Sequence, residues 1–202
     1  MTVLEKRLSK ERLLMTLNKE DVRNLSVQVP AGMVPVDRKE RIKYRDAWCE
    51  LLVRLGFEAD LKHAYGRFDG MVEKDEKFFL DHLYLLRESD GRLASACGLW
   101  YGNDFREDRL RLHYVLTSPQ SQKKGAARYV VSQAVLAYFQ MYDAPLYLST
   151  QAQSWPAIRL YCSIGFRPYI GDCLKFDRDT AERRWLECVQ SVTQLTGSDQ
   201  FK

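Results

Sequence analysis

Between Leu83 and Thr150 the spacing of apolar residues changes period twice, and few folds accommodate the order that results. "LYLLRES" and "RLASACGLWY" are strand-like runs on either side of Asp90-Gly91, a strong signal for a two-residue hairpin. "LRLHYVLTS" reads as a third strand. The period then lengthens: in "KKGAARYVVSQAVLAYFQMY", Val130, Val131, Ala134, Val135 and Tyr138 lie on one side of a helix. "PLYLST" returns to a buried strand, and "SWPAIRLYCSIGF" is a helix closed by Gly165. An antiparallel meander followed by a strand–helix–strand step predicts a mixed α/β (α+β) chain, a central sheet flanked by helices.

The flanks are read less sharply. "DRKERIKYRDAWCELLVRLGF" is a helix, with Asp37 and Glu40 as its capping pair and Trp48, Leu51, Leu52 and Leu55 as its buried stripe. Residues 1–28 are expected to form a helical N-terminal extension, with Leu4, Leu8, Leu14 and Leu17 on one face. "SVQVPAGMVPV" reads as an irregular strand and link, and 57–75 as a loop. "RPYIGDCLKFD" is expected to be a final hairpin. A C-terminal helix over 178–197 follows, with Trp185, Leu186, Val189 and Val192 as its stripe. No repeat or long linker divides the chain, so 1–202 is expected to be a single domain. The terminal helices could support a homodimer, although burial within one subunit is the simpler reading.

Bulk numbers exclude several classes. A chain that is 46% apolar and 29% charged is expected to be globular, and a net charge of +4 gives no general case for nucleic-acid binding. The five cysteines form no CxxC pair and no Cys/His cluster at metal spacing, so no metal and no disulfide framework is expected. The opening "MTVLEKRLSKERLLMTL" is too charged for a secretory apolar core, and no apolar run approaches membrane-spanning length. The expectation is a cytoplasmic protein without a membrane partner.

One segment asks for a ligand. In "TSPQSQKKGAARYVV", Gln122, Lys123, Lys124, Gly125, Ala126 and Ala127 stand between a strand and a helix start. A helix N-terminus exposes unpaired N–H groups and a partial positive charge, and small side chains let an anion approach the backbone. The competing reading is a helix entry that uses small residues for close packing.

Two blocks together resemble the GNAT superfamily of acyl-CoA N-acyltransferases. The first is Pro119-x-x-Gln122-x-x-Gly125-x-Ala127, preceded by Tyr114-Val115-Leu116-Thr117. The second is Ala157-Ile158-Arg159-Leu160-Tyr161 with Gly165-Phe166, on the next helix. The resemblance covers about residues 83–176 and reaches back, in less detail, to the helix at 37–56. It implies a three-layer fold whose mostly antiparallel sheet is splayed, with the strand ending at Thr117 and "PLYLST" parting at one end. It implies acetyl-CoA as the acyl donor, its pantetheine arm on the backbone of Val115, Leu116 and Thr117 and its diphosphate on the amides from Gln122 to Ala127. Ser154 stands where the family usually has the asparagine that opens the second helix. Serine keeps the capping chemistry while changing a possible ligand contact.

The chemistry implied is direct transfer to an amine. Tyr161 matches the family position of the general acid near the sulfur, and a phenol of unperturbed pKa ~10 is protonated at neutral pH. A core-edge tyrosine on a helix stripe is the competing reading. His113, on one face of its strand with Arg111, could serve as the base directly or through water, or be a structural histidine within the sheet. Arg111 would suit an acidic substrate, or pair with Glu107 or Asp108. Cys162, about 100° around the helix from Tyr161, reads as packing rather than as a nucleophile. The acceptor, a small molecule or a protein amine, is not written in the sequence. A catalytically inactive CoA-binding module of the same fold is the alternative.

Overall fold

The hairpin at Asp90-Gly91 is present. In the computed structural model, which describes residues 5–198, β3 (Leu83–Glu88) and β4 (Leu93–Gly102) pair antiparallel. The Glu88 N–H donates to the Arg92 carbonyl at 2.9 Å, and the Gly91 N–H to that of Glu88 at 3.0 Å. β5 (Arg109–Thr117), α3 (Ala126–Met141), β6 (Leu146–Thr150) and α4 (Trp155–Ile164) then follow in the order read from the sequence. With β1 (Leu13–Leu17), β2 (Met33–Pro35) and β7 (Arg167–Pro168), the strands form one sheet in the order β2-β3-β4-β5-β6-β1-β7. The β2–β3, β3–β4, β1–β6 and β1–β7 pairings are antiparallel. Among the described residues no helix is long and apolar enough to cross a membrane.

The described residues gather into two compact units. One takes 25–100 and 112–141, the other 5–24, 101–111 and 142–198. The first is built around Trp48 of α1 (Arg45–Arg54). Its ring meets Phe68 edge-on at 5.4 Å and Tyr114 at 5.1 Å, and Leu52, Leu55, Phe79 and Leu86 are buried with it. Asp37 caps as read, accepting from the Lys39 N–H at 2.9 Å, but the turn it opens (Arg38–Tyr44) is 3-10 before α1 begins.

The expected loop at 57–75 is instead most of α2 (Leu61–Asp81). Asp60 caps it by accepting from the His63 N–H at 2.9 Å, and Ala64, Phe68 and Met71 are buried at helical spacing. A kink at Asp75 (φ −163°, ψ 83°) restarts the helix, with the Asp75 carboxylate accepting from the Phe78 N–H. Gly66 and Gly70 obscured the pattern, since each weakens a helix by about 0.5–1 kcal/mol relative to alanine. Nothing lies within 4 Å of a Cβ placed on either. Gly66→Ala and Gly70→Ala are therefore expected to stabilise the protein by about that amount each. Scanning calorimetry should show Tm rising about 2–4 °C for each kcal/mol.

In the second unit the expected helical extension is corrected. Residues 13–17 form a strand, and a single 3-10 turn at Lys19–Asp21 is the helical structure among described residues 5–28; Leu4 lies outside the described residues. β1 lies between β6 and β7, with Leu13 opposite Thr150, Leu17 opposite Leu146 and Met15 opposite Pro168. Leu13, Leu14, Met15 and Leu17 are all buried, so both faces of the strand are covered. A strand buried on both faces reads as a continuous apolar run, which is ambiguous with a helix segment when short.

The same strand explains the missing final hairpin. Only Arg167 and Pro168 are paired, and their partner is β1. Residues 169–177 turn away: the Cys173 N–H donates to the Phe176 carbonyl, and the Leu174 N–H to that of Asp104. In α5 (Arg178–Thr196) the buried stripe is Ala181, Trp185, Cys188 and Val192. Leu186, read as part of the stripe, is 58% exposed, because it lies about 100° around the helix from Trp185.

Candidate active site

The loop after β5 is fixed by its backbone. Its entry is anchored by the Ser118 N–H, which donates to the Ala94 carbonyl at 2.8 Å. A 3-10 turn follows at Pro119–Ser121, and Gln122 is extended. Lys123 and Gly125 then take left-handed conformations, with φ 61° and 88°. Each Cβ in that region costs roughly 1–2 kcal/mol, which glycine escapes and Lys123 bears. The first helical bond runs from the Tyr129 N–H to the Gly125 carbonyl at 3.0 Å, so the amides before Tyr129 have no acceptor within α3. Left-handed residues redirect the N–H groups that follow them, a device that backbone anion nests also use. Small residues and a helix start meet at this turn, the kind of lining that an anion such as a diphosphate can approach closely. Gly125 is required by conformation, beyond the close approach read from the sequence.

The lysines differ from expectation in one respect. The Lys124 Nζ lies 3.7 Å from the Glu88 Oε1, which also accepts from the Ser121 hydroxyl at 2.7 Å. Lys124 is thus partly neutralised from within the chain, by a glutamate the sequence reading did not single out.

β5 carries a second irregularity. Leu110 and Leu112 are buried in alternation, but Val115, Leu116 and Thr117 are all buried in succession. Between them Tyr114 sits at φ 46°, rare for an aromatic residue and the mark of a local break in the strand. Its ring is held against Trp48, and the His113 ring lies 4.0 Å from it between centroids. Packing from α1 thus over-determines the strained backbone beside His113. The Thr117 side chain faces inward, sharing a 3.0 Å hydrogen bond with Ser95, whose hydroxyl donates to the Leu116 carbonyl at 2.7 Å. Any contribution of Thr117 to a ligand is consequently from its backbone.

Tyr161 and Ser154 belong to the other unit, whereas His113, Val115–Thr117 and Gln122–Ala127 share the first. Tyr161 is buried on α4 with its ring 5.8 Å from Phe166. Its carbonyl accepts from the N–H groups of Gly165 and Phe166, closing the helix through a left-handed glycine (φ 116°). Ser154 is at the N-cap position but makes no side-chain cap bond there, because a 3-10 turn (Ala152–Ser154) leads directly into the helix. Burial pushes the Cys162 thiol up, which disfavours the thiolate a nucleophile needs.

A model of the acetyltransferase (GNAT) family matches residues 45–166, more than half of the chain. The chain belongs to the GNAT acetyltransferase family. No curated protein matches it. Among solved structures, the chain is similar to a GCN5-related N-acetyltransferase from Sphaerobacter thermophilus, at 17% identity and TM-score 0.59, over 78% of this chain and 48% of that one. A GNAT-family acetyltransferase from Colwellia psychrerythraea aligns at 12% identity and TM-score 0.55, over 81% and 56%. The glucosamine N-acetyltransferase region of a fungal multi-domain GH3 β-N-acetylglucosaminidase aligns at 12% and 0.51, over 81% and 20%. This chain spans about half the length of the first of these, and at such identities the likeness is one of fold.

In this GNAT chain β1 lies outside the family-matched residues yet inside the sheet. Nearby, in the second unit, Asp104 is fully buried between Arg12 and Arg111, whose Nη1 lies 3.3 Å from it. This resolves the partner of Arg111: it is Asp104 rather than Glu107 or Asp108. Burial, and secondarily the Asp104 charge, push the Tyr147 phenol up to about 12, and its hydroxyl donates toward Asp104 at 3.5 Å.

Proposed function

We propose that this protein is an N-acetyltransferase that moves the acetyl group of acetyl-CoA to a primary amine of a small molecule or protein. The observation that carries the reading is the turn through Lys123 and Gly125 into the start of α3, within a chain of this family. In the proposed donor site, the amides from Gln122 to Ala127 hold the diphosphate and the backbone of Val115 to Thr117 meets the pantetheine arm. Ser154 would contribute at the head of α4.

The transfer balances without a metal or an enzyme-bound acyl group. The amine nitrogen, neutral after giving a proton to His113 directly or through water, forms the new N–C bond. The C–S bond breaks, the phenol of Tyr161 supplies the proton to the leaving sulfur, and the second proton that the nitrogen loses as the amide forms passes to water, from which the phenolate is reprotonated. The five free cysteines suit a reducing compartment, so we place the reaction in the cytoplasm.

Tyr161→Phe tests the assignment of the acid. Thiol release with an amine that supports turnover is expected to fall by about 10²-fold or more, with acetyl-CoA affinity within about threefold of wild type. Equal loss of both would make Tyr161 a structural or binding residue instead.

A further inference from the structure

Glu88 is the last residue of β3, and its backbone is held from two sides. It stands opposite Met33 of β2 and bonds to Arg92 across the hairpin, while the next residue, Ser89, donates to the Gly32 carbonyl at 3.1 Å. Its side chain, 18% exposed, reaches the loop that precedes α3. One oxygen, Oε1, accepts from the Ser121 hydroxyl at 2.7 Å and lies 3.7 Å from the Lys124 Nζ. Those two residues bracket Lys123, the non-glycine residue of this loop that takes a left-handed conformation. Strained backbone of this kind persists only where its surroundings over-determine it.

The loop borders a space that no side chain fills. A cavity of about 200 Å³ there is lined by Glu50, Arg54, Glu88, Ser118, Gln120 and Ser121. Without a brace the loop has room to relax into that space, and the left-handed turn at Lys123 would be lost. A carboxylate, however, is a poor choice of brace beside a site for a diphosphate, because it repels the ligand and occupies a cation. These two effects have opposite signs and can be separated.

We propose that Glu88 is the positioning residue of the donor loop, holding Ser121 and Lys124 so that the left-handed turn exists before the donor arrives. This rests on the reading that the loop binds the diphosphate of acyl-CoA. Glu88 acts through the loop and does not touch the reacting atoms. Its bond to Ser121 sets the shape, and its charge withholds part of the Lys124 charge from the ligand. Glutamine keeps an oxygen that accepts from Ser121 and removes the charge. Alanine removes both.

Calorimetric titration of CoA into wild type, Glu88→Gln and Glu88→Ala reads the two effects apart. Glu88→Gln is expected to bind CoA about threefold tighter or better, and Glu88→Ala about tenfold weaker or worse. Lys124→Ala should cost more affinity in the Glu88→Gln background than in wild type, because only there is the ammonium released to the ligand. A general structural role predicts weakening in both Glu88 variants. Both variants shifting the same way, neither shifting, or an equal cost of Lys124→Ala in the two backgrounds would overturn the proposal while leaving the donor site intact. A wild type that fails to bind CoA overturns the donor site and the proposal with it. Should Glu88→Ala not fold, the Glu88→Gln and Lys124→Ala arms decide alone.

Discussion

Gly125→Glu is expected to abolish acetyl-CoA binding while leaving the protein folded. A Cβ at this position meets only the Pro30 Cγ, at 3.7 Å, an ordinary contact. The cost to folding is therefore chiefly the left-handed backbone, about 1–2 kcal/mol. The cost to binding is larger. A carboxylate about 4 Å from a phosphate charge repels it by about 4 kcal/mol at an effective dielectric of 20, close to a thousandfold in affinity. Solvent screening reduces this, and at least a hundredfold loss of micromolar-range binding is the expected calorimetric result. Gly125→Ala bears the backbone cost without the charge, so it should retain much more of the affinity. If the two variants bind alike, the loop is not where the anion sits.

The second large effect is on stability. Asp104→Ala is expected to destabilise the protein by about 3 kcal/mol, seen as a fall in Tm of about 10 °C. Removing the carboxylate leaves two guanidiniums facing each other, and that of Arg111 is largely buried. The figure is at the low end of the range for broken buried pairs because Arg12 is 39% exposed and regains water. Asp104→Asn keeps the shape, but as a neutral amide it cannot balance both arginines, so it should fall between the two. A Tm within 2 °C of wild type for Asp104→Ala would mean that the cluster does not hold its part of the structure together.

The segments legible in the sequence are those whose local signals and tertiary roles agree. The Asp90-Gly91 hairpin, the α3 stripe and the helix ended by Gly165 each carry a periodic pattern and a turn residue that act alone. β1 was not legible, because Leu13-Leu14-Met15 is apolar on both sides and only its place between β6 and β7 makes it a strand. α2 was hidden by Gly66, Gly70 and the restart at Asp75, although Ala64, Phe68 and Met71 kept helical spacing.

At the site, Gly125 could be found from the run of small residues at a helix start, whereas its left-handed conformation is a property of the folded loop. The left-handed Tyr114 could not, since nothing in "LHYVL" marks a break that Trp48 imposes from a distant helix. Glu88 was equally hidden: as the final residue of a strand it looks like an ordinary polar end, and its reach to Ser121 exists only in the folded chain.

The most direct test of the proposed reaction is to incubate the wild-type protein with acetyl-CoA and a panel of primary amines, following free thiol and the mass of each amine. Thiol release that depends on one class of amine, matched by a mass gain of one acetyl group, is the predicted result. Tight acetyl-CoA binding with no amine-dependent thiol from any member would contradict it, and the chain would then be a CoA-binding module rather than an acetyltransferase.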